Sequence, residues 1–341
     1  MTRLPFLRAI ALVVMLLAAG CASFQQASDT VRVRQPGNRT YDAPVNVAES
    51  AKALSQYAVL SENAYFGSWK KQRDVETPQE ARTYEPPPAT QETYDRLCAP
   101  GETGPLPLSG WRMWDNFPSP GLIGEALRVG LYVEVWEKVG ATPPVIAVVF
   151  RGTEFTSLKD WISNLRWFLR FVPWYEDQYS VVSRRVGKEV VNRLASGNTD
   201  PFQLVAVGHS LGGGLAQHLA YSLPPGPEDR RVPRVSSVYA FDPSPVTGWF
   251  SVERALRETN AAELRIDRVF EHGEILAYAR LLLSYVNPPS AAHPSVREIR
   301  YNFVQSLNPF SSHSMRLLAC ALVHASGQAA IPDLLERFRK K

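Results

Sequence analysis

Ser210 is the residue of this chain best placed to act as a nucleophile, because of what surrounds it. Gly208-His209-Ser210-Leu211-Gly212 follows the apolar run Leu204-Val205-Ala206-Val207 and leads into Gly213-Gly214-Leu215-Ala216-Gln217-His218-Leu219. The run reads as a buried strand, short and without polar alternation. Leu211, Leu215, His218 and Leu219 recur at helical spacing, and Pro224-Pro225-Gly226 ends the pattern. A strand that turns sharply into a helix strains its central residue and tolerates only glycine two positions to either side. That strain should present the Ser210 hydroxyl openly at a helix N-terminus, where developing negative charge is favoured.

A serine hydroxyl needs a base to take its proton, and histidine, with a pKa near neutral, is suited to it. The chain has six histidines. His209 lies inside the turn and His218 on the helix after it, where both read as structural. His324 falls within or at the end of a helix, while His272 and His293 lie near loops. His313, in Ser311-Ser312-His313-Ser314, occupies a polar loop just ahead of the apolar run Met315 to Val323, and its position makes it the leading base. Three carboxylates compete as its partner: Glu271 and Glu274 after a strand over Arg265 to Phe270, and Asp242 after Val238-Tyr239-Ala240-Phe241. Charge on a tetrahedral oxygen also needs donors. The backbone N–H of Leu211 is one, and Thr153, after the strand Val145 to Phe150, offers an N–H and a hydroxyl.

The elements that would position these groups alternate. An amphipathic helix runs from Ala48 to Tyr65, and strands are expected over Leu131 to Glu137, Val145 to Phe150, Phe202 to Val207, Val235 to Phe241 and Arg265 to Phe270. Helices are expected over Asp160 to Val172, Tyr179 to Leu194 and the stretch after Ser210. Such alternation predicts an α/β fold with a mostly parallel central sheet and helices on both faces. Trp161, Leu165 and Phe168 share one face of the Asp160 helix, and Trp167, Phe171 and Trp174 share another. Two apolar faces fit either a deeply buried helix or a lid over an acyl pocket.

The residues resemble the class 3 lipase family, α/β-hydrolases acting on acyl esters. The likeness rests on Val148-Val149-Phe150-Arg151-Gly152-Thr153, Asp160-Trp161, Gly208 to Gly213, His313-Ser314-Met315, and Tyr57-Ala58 with Ala64-Tyr65. It covers about residues 48–325. The resemblance implies a serine hydrolase that cleaves lipid carboxylic esters, of triacylglycerol lipase or phospholipase A type, through an acyl-enzyme. It implies Ser210, His313 and Glu274 as a triad, with Asp242 the alternative acid, Thr153 and Leu211 at the oxyanion, and neither metal nor cofactor. Three features depart from the family. Asp242-Pro243-Ser244-Pro245 stands where a glycine usually precedes the proline, glutamate stands at the usual aspartate position, and the polar insert near residue 90 is unmatched. A catalytically silent envelope lipoprotein on this fold, or a thioesterase or peptidase, are the competing readings.

Composition bounds the rest. With 341 residues, 45% hydrophobic content and a formal charge of +4, the chain can bury one large core, and nothing in it argues for nucleic acid. Two arginines precede the apolar run Ala9 to Ala19, so residues 1–20 read as a secretory signal. Ala18-Ala19-Gly20-Cys21 resembles a bacterial lipobox, which implies an acylated Cys21 on a membrane surface in the cell envelope; Ala22 suits the outer membrane, facing the periplasm. Residues 21–47 then read as a flexible tether and 48–341 as a single domain with a polar surface insert near 70–108. Cys98 and Cys320 can pair in an exported protein, although a buried free thiol at Cys320 fits equally.

Overall fold

Nine strands form one sheet among the described residues of the computed structural model, which are 30–37, 39–67, 84–152, 177–196, 201–227, 232–272, 274, 276, 294–303 and 311–331. The strands are β1 (Thr30–Arg34), β2 (Thr40–Pro44), β3 (Trp111–Met113), β4 (Val133–Lys138), β5 (Val145–Phe150), β6 (Gln203–His209), β7 (Val235–Phe241), β8 (Arg265–Glu271) and β9 (Ser295–Tyr301). They lie in the order β2-β1-β9-β8-β7-β6-β5-β4-β3.

The sheet is mixed, which corrects the expectation of a mostly parallel one. Strands β5 to β9 pair in parallel. On one side β4 and β3 add antiparallel, and on the other β1 and β2 do the same. The cause is local: only six residues join β4 to β5 and five join β1 to β2, and connections that short reverse the chain. Within the stretch read as a tether, β1 docks its Val31 and Val33 into the core through pairing with β9.

Period-two alternation sorts each central strand between two cores. Ala147, Val149, Val205, Val207 and Phe241 face α1 (Val47–Asn63) and α8 (Met315–Ala325). Ile146, Val148, Phe150, Leu204, Ala206 and Ala240 face the opposite layer. That layer holds α3 (Pro120–Val129), α4 (Gln178–Val181) running through a π-turn into α5 (Gly187–Ser196), α6 (Leu211–Ser222) and α7 (Arg254–Ala261). Helix α2 (Gln91–Leu97) lies in the insert read as a surface excursion, yet its Tyr94 and Leu97 are core residues, as is Leu106. The residues 68–83 of that insert, and the aromatic stretch 160–175, lie outside the described residues.

Helix α8 matters most for the site, because it begins two residues after His313. It packs along α1 and is tied to the insert by a Cys98–Cys320 disulfide, so the paired alternative for these cysteines holds. Arg316, in its first turn, donates from Nε to Glu62 at 2.9 Å, from Nη1 to the Leu97 carbonyl at 2.8 Å and from Nη2 to the Gly104 carbonyl. The guanidinium also lies over the Phe66 ring. Burial raises the Glu62 carboxyl to about 7, outweighing the Arg316 charge that pulls it down.

Candidate active site

The turn at Ser210 has the backbone that its glycines foretell. Ser210 has φ 55° and ψ −121°, a strained conformation for a side-chain-bearing residue, between β6 and the start of α6. A Cβ on Gly208 would lie 2.3 Å from the Gly212 carbonyl group, and one on Gly212 would lie 2.3 Å from the Phe150 carbonyl oxygen. Neither glycine can be replaced without moving backbone. The hydroxyl itself is not open as expected: Ser210 is only 2% exposed.

Two separate elements bring side chains to this turn. His313 stands in a short 3-10 turn ahead of α8, whose N-cap is Ser314. Its Nε2 is 3.1 Å from Ser210 Oγ, and its Nδ1 is 3.0 Å from Glu274 Oε2. Glu274 follows β8, is fully buried, and its Oε2 also accepts the Leu276 N–H at 2.7 Å. With acidic Glu274 accepting at Nδ1, the neutral imidazole carries its proton there and turns the Nε2 lone pair to the hydroxyl. The arrangement can therefore move a proton off Ser210.

Asp242 occupies a different place. It follows β7 with φ 40°, and its Oδ1 accepts the Glu271 N–H at 3.2 Å. Its Oδ2 lies 3.9 Å from His209 Nε2, and the carboxylate that hydrogen-bonds His313 is Glu274. Glu271 is buried at the end of β8, next to Asp242 through that N–H.

The other histidines fall away from the hydroxyl. His218 is buried against the Tyr179 ring and Gly248. His324 accepts the Ile331 N–H at the end of α8. The N–H of His272 donates to the Tyr301 carbonyl, and its imidazole is held below its usual range by burial and by Arg300. His293 lies outside the described residues. Arg151 anchors a loop, donating to the Gly67 carbonyl at 2.7 Å beneath which Tyr132 offers its ring.

At the first turn of α6, the Leu211 N–H has no acceptor within its own helix, as at any helix start. The end of β5 approaches closely: a Cβ on Gly152 would meet Ser210 Cβ at 3.2 Å and the Tyr65 hydroxyl at 2.5 Å. Thr153 itself, Cys21 and Asp160 lie outside the described residues. Tyr65 had no assigned role in the sequence, although its hydroxyl sits 2.6 Å from His209 Nδ1. Only its place in the Ala64-Tyr65 pair, at the end of α1, hinted at proximity to the turn.

His209, Asp242 and His313 each bring one metal-ligating type of atom within 4.8 Å of the others, and all three are buried. Both ring nitrogens of His209 and of His313 are already engaged in hydrogen bonds, so this cluster is organised around protons.

A family model described as Phospholipase-like, a Tle-like phospholipase domain, matches residues 56–223. The match supports a lipase- or phospholipase-type hydrolase. It takes in Tyr65, Gly152 and the turn with Ser210, and it stops before Asp242, Glu274 and His313. It points to lipid-ester hydrolysis as a class, and to phospholipase-type domains rather than to class 3 lipases in particular. No curated protein matches the chain.

Proposed function

We propose that this chain is a serine hydrolase that cleaves carboxylic esters of lipids through an acyl-enzyme, with Ser210 as nucleophile, His313 as general base and Glu274 as the acid that orients it. The observation that carries the reading is the continuous hydrogen-bonded line from Ser210 Oγ through His313 to Glu274. Ser210 Oγ attacks the ester carbonyl carbon as His313 Nε2 takes the hydroxyl proton. The carbonyl oxygen becomes an oxyanion, met by the Leu211 N–H and by Thr153. His313 then passes its proton to the departing alcohol oxygen, leaving the acyl group on Ser210. Water then attacks the acyl carbon as His313 Nε2 takes its proton; the bond to Ser210 Oγ breaks, His313 returns the proton to Oγ, and the acid leaves. Glu274 stays ionised, holds the Nδ1 proton and stabilises the imidazolium.

Among ester substrates, the Phospholipase-like match favours phospholipid over triacylglycerol. The class 3 lipase resemblance, carried by the Phe150-Arg151-Gly152-Thr153 strand end and the turn, supports the same chemistry. The test is a panel of nitrophenyl esters of increasing chain length beside phospholipid vesicles, run with wild type and S210A. Hydrolysis by wild type that S210A loses is expected; equal rates in both refute the reading.

The same proposal places the protein in the cell envelope, held to the membrane by an acylated Cys21 after removal of residues 1–20. The Cys98–Cys320 disulfide supports export, because such bonds persist in oxidising compartments. Mass spectrometry of the mature protein should find a lipidated Cys21 at its N-terminus. A free Cys21 thiol, or cleavage elsewhere, counts against it.

A further inference from the structure

His209 precedes the nucleophile, yet its imidazole serves neither the hydroxyl nor the acid. Its Nε2 lies 3.1 Å from the backbone carbonyl oxygen of His313. A carbonyl only accepts, so Nε2 carries the proton. Its Nδ1, 2.6 Å from the Tyr65 hydroxyl, then accepts from that hydroxyl. Both ring nitrogens are used, each in the sense that the neutral Nε2–H tautomer requires.

The consequence is a closed circuit. Starting at Ser210, the peptide leads back to His209, whose ring holds the His313 carbonyl. The His313 side chain then returns to Ser210 Oγ at 3.1 Å. Nucleophile and base approach from segments far apart in sequence, and this circuit ties the side chain beside the nucleophile to the backbone of the base. We propose that His209 is a positioning residue for the general base: its Nε2–H fixes the His313 carbonyl, and the Tyr65 hydroxyl holds His209 in the tautomer that can do so. This role rests on the reading of His313 as the base of Ser210.

The surroundings agree with a neutral ring. Burial, and then the charge of His313, push His209 well below the ordinary imidazole range. The two rings are 4.8 Å apart, so a proton on His209 would oppose the imidazolium that His313 must become during turnover. The other groups facing His209 are Tyr65, which donates to it, and the Asp242 carboxylate, 3.9 Å from Nε2. Helix α1 delivers Tyr65 to this point by packing along α8, the helix that follows His313.

Two substitutions separate the bonds. In H209Q the side-chain amide reaches the former Nε2 position and can still donate to the His313 carbonyl. In H209N the shorter amide reaches only the Nδ1 position, so it keeps a partner for Tyr65 and drops the carbonyl. With nitrophenyl butyrate as substrate, H209N should lose on the order of 10- to 100-fold in kcat with little change in KM, the scale of a misplaced group. H209Q should retain most of the wild-type kcat. Wild-type rates in H209N, or equal losses in both variants at matched melting temperatures, overturn the proposal.

Nitrogen-15 spectra of histidine-labelled wild type give an answer that needs neither variant to fold. His209 should be the Nε2–H tautomer and stay neutral at pH 7; an Nδ1–H tautomer or an imidazolium overturns the role. S210A is run alongside. Wild-type rates in S210A would bring down the serine-hydrolase reading and this role with it, whereas a wrong His209 tautomer with an inactive S210A removes this role alone.

Discussion

Replacing both Cys98 and Cys320 by alanine should cost the protein about 5 kcal/mol. The bond closes a loop of sequence separation 222, and cross-linking removes loop-closure entropy from the unfolded chain in proportion to the logarithm of that length. At 25 °C the chain-entropy relation gives roughly 5 kcal/mol for a loop of this size. For a domain of this length that is a drop of roughly 10 °C in Tm. Melting curves of wild type and of the C98A/C320A variant, each with and without a strong thiol reductant, test this. Reductant should bring wild type down to the variant's Tm and leave the variant unmoved. If the variant melts with wild type and reductant shifts neither, the bond contributes nothing and the reasoning fails.

Other consequences can be read as directly. E274Q should keep the fold and lower kcat by about 10⁴, the scale seen when a triad acid is replaced by its amide, while D242N should do less; if D242N is the more damaging of two folded variants, the acid has been misassigned. G208A should fail to give soluble folded protein, because its Cβ would sit 2.3 Å from the Gly212 carbonyl group; a folded, active G208A contradicts the turn geometry. Glu62, raised in the folded state to about 7 against an ordinary 4.5, binds its proton more tightly folded than unfolded. Its contribution is therefore full below about pH 4.5 and is lost as pH rises through about 7, a difference of roughly 3 kcal/mol. In E62Q the urea midpoint should flatten across that window, and an unchanged slope refutes the assignment.

The turn around Ser210 was legible in the sequence because its constraints are local: two glycines, a β-branched run and a helical repeat are all within a few residues. His313 could be ranked because it lies in a polar loop just ahead of a recognisable helix, whereas Glu274 was set above Asp242 and Glu271 by the class 3 lipase resemblance. What escaped is non-local. Strand β9 carries Arg297 and Arg300 and did not read as a buried strand, yet Arg297 donates to the buried Asp267 of β8 at 2.7 and 2.6 Å. Such a charge is satisfied by a partner that the linear pattern does not reveal. Glu62 and Arg316 meet across 254 positions for the same reason. Strand β1 did alternate, with Val31 and Val33 inward, but its arginines and the polar residues around it suggested a solvated tether. The antiparallel edges were missed because strand positions alone do not fix direction; the short β4–β5 connection does. The bond from Tyr65 to His209 depends on α1 docking against α8, which no periodicity encodes.

The central claim is that Ser210 is the nucleophile activated by His313. It is tested most directly by intact-mass and peptide mass spectrometry after treatment with an alkyl fluorophosphonate, which reacts with an activated serine and stays attached. One adduct is expected, on the peptide containing Ser210, absent in S210A and formed far more slowly in H313A. An adduct on another residue, or equal labelling of Ser210 in wild type and H313A, would contradict the account.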